Sequence, residues 1–257
     1  MWSGDWSYDT SVVRQVLLHI GTHKTGTTSI QEFCRDENPG VLEDVGAFFP
    51  AGFLIPTLHS DLALLSMRKK REWPARVKFP ETRSVEWLGA AHLHVRAQIE
   101  ESTVTTLVYS HEDLSYLRFD DEVTRLRGLF APAEVRIVVF LRDKQAFLSS
   151  YRAQLRSMGL PFSSDQRSFA YVEDDTWLTD YDALVDVYAR GFGRRNVEVV
   201  NYEMAVQRDG SVIPTFAALL GISRGSLPPL GRYFLNRSGA QIQPDARYIA
   251  EIRRKLT

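Results

Sequence analysis

The sequence predicts an α/β protein in three layers, a central and mostly parallel β-sheet flanked by helices. Three observations lead there. Four short apolar runs rich in β-branched residues occur at 16–20 (VLLHI), 104–109 (VTTLVY), 135–141 (VRIVVFL) and 197–202 (VEVVNY). Their near-continuous hydrophobicity is that of strands covered on both faces, as in a parallel sheet. Helical patterns lie between them, and alternation of strand and helix implies right-handed crossovers. A glycine- and threonine-rich turn joins the first strand to the first helix.

In chain order, the strand over 16–20 runs through that turn into a helix over 27–35. The stretch 50–80 is the least regular. It contains Arg68, Lys69, Lys70 and Arg71, a basic run of the kind that ordinarily forms a solvated helix face. A helix over 85–101 leads into the strand over 104–109. The strand over 135–141 is followed by a helix over 145–157. Pro161 and several Ser and Asp residues make 159–175 a loop. A helix over 181–191 precedes the strand over 197–202. Glycines and prolines punctuate 225–244 before a final amphipathic helix over 245–256. No internal repeat or low-complexity linker divides the chain. The expectation is therefore one domain over 1–257, with 1–14 as an extension and 50–80 and 159–175 as insertions on the acceptor side.

Composition narrows the function class. The 257 residues include 31 basic and 32 acidic side chains, for a net charge of -1, with 44% hydrophobic and 25% charged residues. These are ordinary values for a globular chain, and they exclude wholesale disorder and a disulfide-stapled miniprotein. The charge balance gives no reason to expect a nucleic-acid partner, and no oligomeric state follows from it. Cys34 is the only cysteine, so no internal disulfide is expected. No apolar run approaches the roughly 20 residues of a membrane span. The opening MWSGDWSYDTSVVRQ has neither the basic nor the apolar region of a signal peptide, so a cytoplasmic location is expected.

The strongest chemical signal is the turn Gly21-Thr22-His23-Lys24-Thr25-Gly26-Thr27-Thr28. Two glycines permit a sharp turn and close approach of a ligand to the backbone. Successive amides then converge on an anion at the start of the following helix. The threonines add hydroxyl donors, and Lys24 supplies the one full positive charge. Gly21 and Gly26 have the spacing of a Walker A loop, but Thr27 stands where that pattern requires lysine. Lysine lies inside the loop instead, which points to a different nucleotide.

The loop resembles the 5′-phosphosulfate-binding loop of the sulfotransferase superfamily, bacterial members in particular. That resemblance implies a P-loop-like α/β fold. It also implies 3′-phosphoadenosine 5′-phosphosulfate (PAPS) as donor, 3′,5′-adenosine bisphosphate (PAP) as product, and no metal. The family grips the donor's 3′-phosphate with an arginine ending a central strand and a serine eight residues later. The strand over 135–141 is followed by Arg142, and Ser150 lies eight residues on, with Ser149 as the alternative. An arginine offers a planar donor fork for phosphate, and a serine adds a neutral donor. Tyr202, with Glu203, resembles the family segment whose tyrosine contacts adenine. The resemblance continues through 213–222 and 235–238.

Sulfuryl transfer to an alcohol or amine benefits from a base on the acceptor. The resemblance implies a histidine or a glutamate. His111 stands at a strand end, as in cytosolic members, and Glu112 beside it is the residue type used by carbohydrate-acting members. Ser110 and Asp113 also form a capping-box pattern opening a helix. His59 is a weaker candidate on the acceptor side. His92 and His94 would point to different helix faces, and the six histidines form no HExxH metal motif. Trp73, Trp87 and Trp177 are candidate sugar platforms, although scattered tryptophans are ordinarily packing. The resemblance favours a glycan or glycolipid acceptor, with a small-molecule acceptor as the alternative. The competing classes are a P-loop ATP-dependent kinase and a non-catalytic nucleotide-binding protein.

Overall fold

A computed structural model describes residues 15–71 and 73–233. The expected extension over 1–14 and the final helix over 245–256 lie outside the described residues. The elements run β1 (Gln15–His19), α1 (Thr27–Asp36), β2 (Ala47–Phe48), α2 (Ser60–Ser66), α3 (Pro74–Lys78) and α4 (Val85–Glu101). There follow β3 (Thr106–Ser110), α5 (Asp120–Phe130), β4 (Glu134–Leu141), α6 (Lys144–Ser157) and α7 (Tyr181–Phe192). The last are β5 (Val197–Asn201), α8 (Tyr202–Asp209) and α9 (Ile213–Leu219).

The sheet is parallel throughout, in the order β2-β3-β1-β4-β5. The period-2 alternation of each strand divides its side chains between two layers. Val16 and Leu18 pack with Ile137 and Val139 against α2, α4, α5, α6 and α7. Leu17 packs with Val138 and Phe140 against α1, α8 and α9. Because β1 is central, the chain leaves it towards β3 on one side and β4 on the other. The carboxyl end of β1 is thus a topological switch point, where open α/β sheets leave a crevice for ligands. Among the described residues no helix is long and apolar enough to cross a membrane.

The basic run departs from expectation. Residues 68–71 form a turn after α2, not a helix face. Arg68 pairs with Asp121, and Arg71 donates to Glu122 at 2.9 Å and to the Tyr116 carbonyl at 2.8 Å. The run is a tie to α5, because Glu122 is buried at 0% exposure and needs donors. The loop over 159–175 is present as expected, with no helix or strand.

Candidate functional site

The loop after β1 is tied to β4 by its backbone. Ile20 and Thr22 donate to the carbonyls of Val138 and Phe140, and Phe140 donates to the carbonyl of Gly21. Gly21 has φ 80°, and a Cβ there would stand 2.8 Å from Glu112 Cα, so only glycine fits. Gly26 precedes α1 in the left-handed conformation, and a Cβ there would meet Val212 at 2.8 Å. Lys24 also has positive φ, 63°. A non-glycine residue in that region costs about 1–2 kcal/mol, so its surroundings must hold it there.

The threonine hydroxyls behave differently from expectation. Thr25 donates to the Thr22 carbonyl at 2.6 Å and Thr27 to the same oxygen at 3.5 Å, while Thr22 itself donates to the Phe140 carbonyl. Each hydroxyl has one proton, so these three brace the loop. Thr28 is exposed at the first turn of α1. Lys24 is partly exposed and carries the loop's free charge.

Arg142, just past β4, lies against this loop. Its Nη1 donates to the Lys24 carbonyl at 3.2 Å and to Ser150 Oγ at 3.0 Å. Ser149 is exposed on α6 and makes no such bond, so of the two serines it is Ser150 that touches Arg142. The Tyr202 ring lies 5.2 Å from the guanidinium, and the Glu203 carboxylate is 3.7 Å from Nε. Glu203 also accepts the Asp143 amide at 3.1 Å. Three buried polar atoms here, Arg142 Nε, Asn201 Nδ2 and Glu203 Oε2, have no hydrogen-bond partner. The unpartnered donors Arg142 Nε and Asn201 Nδ2 beside a guanidinium fit a polar, anionic guest, although the Glu203 carboxylate offsets part of that charge.

Beside the loop, β3 ends in a cluster of titratable groups. The His111 amide donates to the His19 carbonyl, which seats residues 111–113 next to the carboxyl end of β1. The capping arrangement differs from the sequence expectation. His111, not Ser110, caps the short 3-10 helix Glu112–Tyr116, its Nδ1 accepting the Asp113 amide at 3.1 Å. Ser110 Oγ instead bonds His19 Nδ1 at 2.8 Å.

Asp113 lies between two imidazoles, 3.6 Å from His23 Nε2 and 3.6 Å from His111 Nδ1. Burial pushes the Asp113 carboxyl above its ordinary range, against the pull of those imidazoles. Burial would also raise Glu112, but His111 and His23 beside it hold its carboxyl below the ordinary value. Burial holds the His23 imidazole below its ordinary value, and its ring packs on Tyr116 and Tyr151 at 4.8 and 5.3 Å. Glu112 adjoins the loop's first glycine, since a Cβ on Gly21 would meet its Cα at 2.8 Å.

His59 is corrected by its surroundings. It is 1% exposed, Nε2 bonds the Pro50 carbonyl at 2.8 Å, and Nδ1 accepts the Ser110 amide at 3.1 Å. Both nitrogens are engaged, so it fastens the segment after β2 to β3 and offers nothing to a substrate. Trp73 and Trp177 pack on Tyr116 at 5.8 and 5.6 Å, and Trp87 packs on Phe53. They are packing residues. Tyr116 and Tyr151, joined by a 2.7 Å hydroxyl contact, connect the loop histidine to these segments. Sequence reasoning missed this pair, because nothing in the sequence links them. Asp113 and Glu203 were missed as site groups although each adjoins a residue that was singled out.

The parallel sheet, the glycine loop at its switch point and the arginine on the neighbouring strand define a P-loop-like α/β class. The fold is that of the sulfotransferase from Alicyclobacillus acidocaldarius, which aligns over 95% of both chains with a TM-score of 0.57 at 17% identity. The sulfotransferase domain of the curacin biosynthetic pathway aligns over 88% of this chain and 80% of its own, with a TM-score of 0.48 at 12% identity. The sulfotransferase domain of the Synechococcus PCC 7002 olefin synthase covers 96% of each chain, with a TM-score of 0.46 at 13% identity. No protein-family model and no curated protein matches the sequence.

Proposed function

We propose that the protein is a sulfotransferase, moving a sulfuryl group from PAPS to a hydroxyl or amine of an acceptor and leaving PAP. The observation that carries this reading is the Arg142 bridge. One guanidinium nitrogen joins the Lys24 loop to Ser150. Two anion-binding elements therefore share one continuous face, as a donor with separated 5′ and 3′ anionic groups requires. The fold shared with a bacterial sulfotransferase supports this reading by analogy.

In this reading Lys24 and the loop amides stabilise charge on the 5′-phosphate as it leaves, electrostatic preorganisation at developing charge. Arg142 and Ser150 hold the 3′-phosphate, and Tyr202 flanks the adenine. Glu112 takes the acceptor's proton. The acceptor oxygen or nitrogen forms the new bond to sulfur, and the sulfur–oxygen bond to the 5′-phosphate breaks with its electron pair on the phosphate. His111 is the poorer base, since an imidazole whose Nδ1 accepts an amide carries its proton on Nε2. The segments 50–80 and 159–175 shape the acceptor side. A carbohydrate or glycolipid hydroxyl is the proposed acceptor.

Thermal denaturation with PAP, with ATP and magnesium, and with AMP tests the donor. A ligand at 100 times its Kd adds about 2.7 kcal/mol of stability. Stabilisation by PAP above the other two is expected. Selective stabilisation by ATP with magnesium would replace this reading with a kinase.

A further inference from the structure

We infer that Arg142 is also a positioning residue for the loop lysine, acting through the Lys24 carbonyl independently of any contact with the donor's 3′-phosphate. The inference rests on the donor reading above and goes a step beyond it.

Lys24 is the one non-glycine residue with positive φ among the described residues. The loop on either side of it is anchored by other means. Thr22 and Gly21 are bonded to the β4 backbone, and Gly26 begins the hydrogen bonds of α1. Between those anchors, the Lys24 carbonyl is held by Arg142. Arg142 is in turn braced from two elements, by Ser150 on α6 and by Tyr202 and Glu203 on α8. It is 9% exposed and therefore well placed to act as a fixed strut.

The donor count separates the two roles. A guanidinium has five N–H donors. The two on Nη1 are engaged by Lys24 and Ser150. The pair on Nη2 remains, while Nε, buried without a hydrogen-bond partner, faces the Glu203 carboxylate at 3.7 Å. A phosphate can thus be met by Nη2 while the bond to the loop stays intact. Removing the guanidinium should disturb the 5′ anion site even for a ligand that has no 3′-phosphate.

Calorimetric binding of AMP, which lacks that phosphate, and of PAP reads the two roles apart. Replacing Arg142→Gln is expected to weaken PAP by about 100-fold or more and AMP by about tenfold, tenfold being about 1.4 kcal/mol. Ser150→Ala, which keeps the Lys24 bond but removes one brace on Arg142, is expected to weaken PAP about tenfold and AMP by about twofold, less than Arg142→Gln does. Arg142→Lys keeps a charge for the 3′-phosphate but cannot span carbonyl and hydroxyl as a planar fork. It should recover part of the PAP affinity and none of the AMP affinity, and it serves if the glutamine variant does not fold. AMP binding equal to wild type in a folded Arg142 variant would overturn the inference and leave the donor reading standing. A wild-type protein with no preference for PAP over AMP would overturn the donor reading itself.

Discussion

The Asp113 amide donates to His111 Nδ1 at 3.1 Å, so the histidine caps the turn that carries the neighbouring carboxylate. In the proposed mechanism this bond gives separate roles to His111 and Glu112, between which the sequence does not choose. Asparagine is a good helix cap and its side-chain oxygen can accept the same amide. His111→Asn should therefore retain turnover within about tenfold, whereas Glu112→Gln should lower kcat by about 10²–10⁴-fold, the range of general-base catalysis. Steady-state kinetics with PAPS as donor would check this. Equal impairment of the two variants would return the base to His111.

Lys24 combines a charge with a strained backbone, φ 63°. Lys24→Gly should relieve the strain and raise stability by about 0.5–1 kcal/mol, since glycine enters the left-handed region freely. The same change should lower turnover by about 10²-fold or more through loss of a preorganised donor. Paired denaturant unfolding and kinetics are the readout. A variant both destabilised and inactive would point to a loop held by the lysine side chain itself.

Much of this site was legible because its chemistry is carried by local patterns. Gly21, Gly26 and Lys24 lie within six residues, and the eight-residue spacing of Arg142 and Ser150 follows from a strand end and the next helix. The four long strands were legible from apolar runs, and α1, α4, α6 and α7 from their periodicity. What stayed hidden depends on partners distant in sequence. β2 has two residues and exists through pairing with β3. The role of His59 is hidden because its two hydrogen bonds, to Pro50 and Ser110, are tertiary. The turn over 68–71 looks like a solvated helix face in the sequence, because the Asp121 and Glu122 that balance its charge lie some 50 residues away.

Glu122 makes that last point measurable. Its carboxylate is fully buried and accepts from the amides of Arg68 and Arg118 and from the Arg71 guanidinium. Removing one partner of a buried charge pair costs about 3–5 kcal/mol. Glu122→Ala should destabilise the protein by that amount in urea, and Asp121→Ala, whose pairs are solvent-exposed, by about 1 kcal/mol or less. Comparable losses in both variants would mean that the exposed pair holds the turn equally.

Two buried imidazoles set the acid limit of the fold. Burial holds His19 down to about 3 and His59 to about 4, whereas an unfolded histidine titrates near 6.5. Below pH 6.5 the unfolded chain therefore binds protons that the folded chain does not, and stability falls with pH until the folded values are reached. By pH 5 each contributes about 2 kcal/mol of lost stability. Glu112, lowered by its neighbouring imidazoles, adds a further loss at lower pH, as the folded carboxylate protonates. Asp61 and Asp113, raised chiefly by burial, act in the opposite sense, since the folded state takes up their protons first. His23, also lowered by burial, acts in the same sense as His19 and His59. Urea unfolding at pH 7 and pH 5 should show a drop that His19→Gln reduces by about 2 kcal/mol, whatever that variant's own stability at pH 7. An unchanged drop would mean that His19 is already accessible to protons in the folded state.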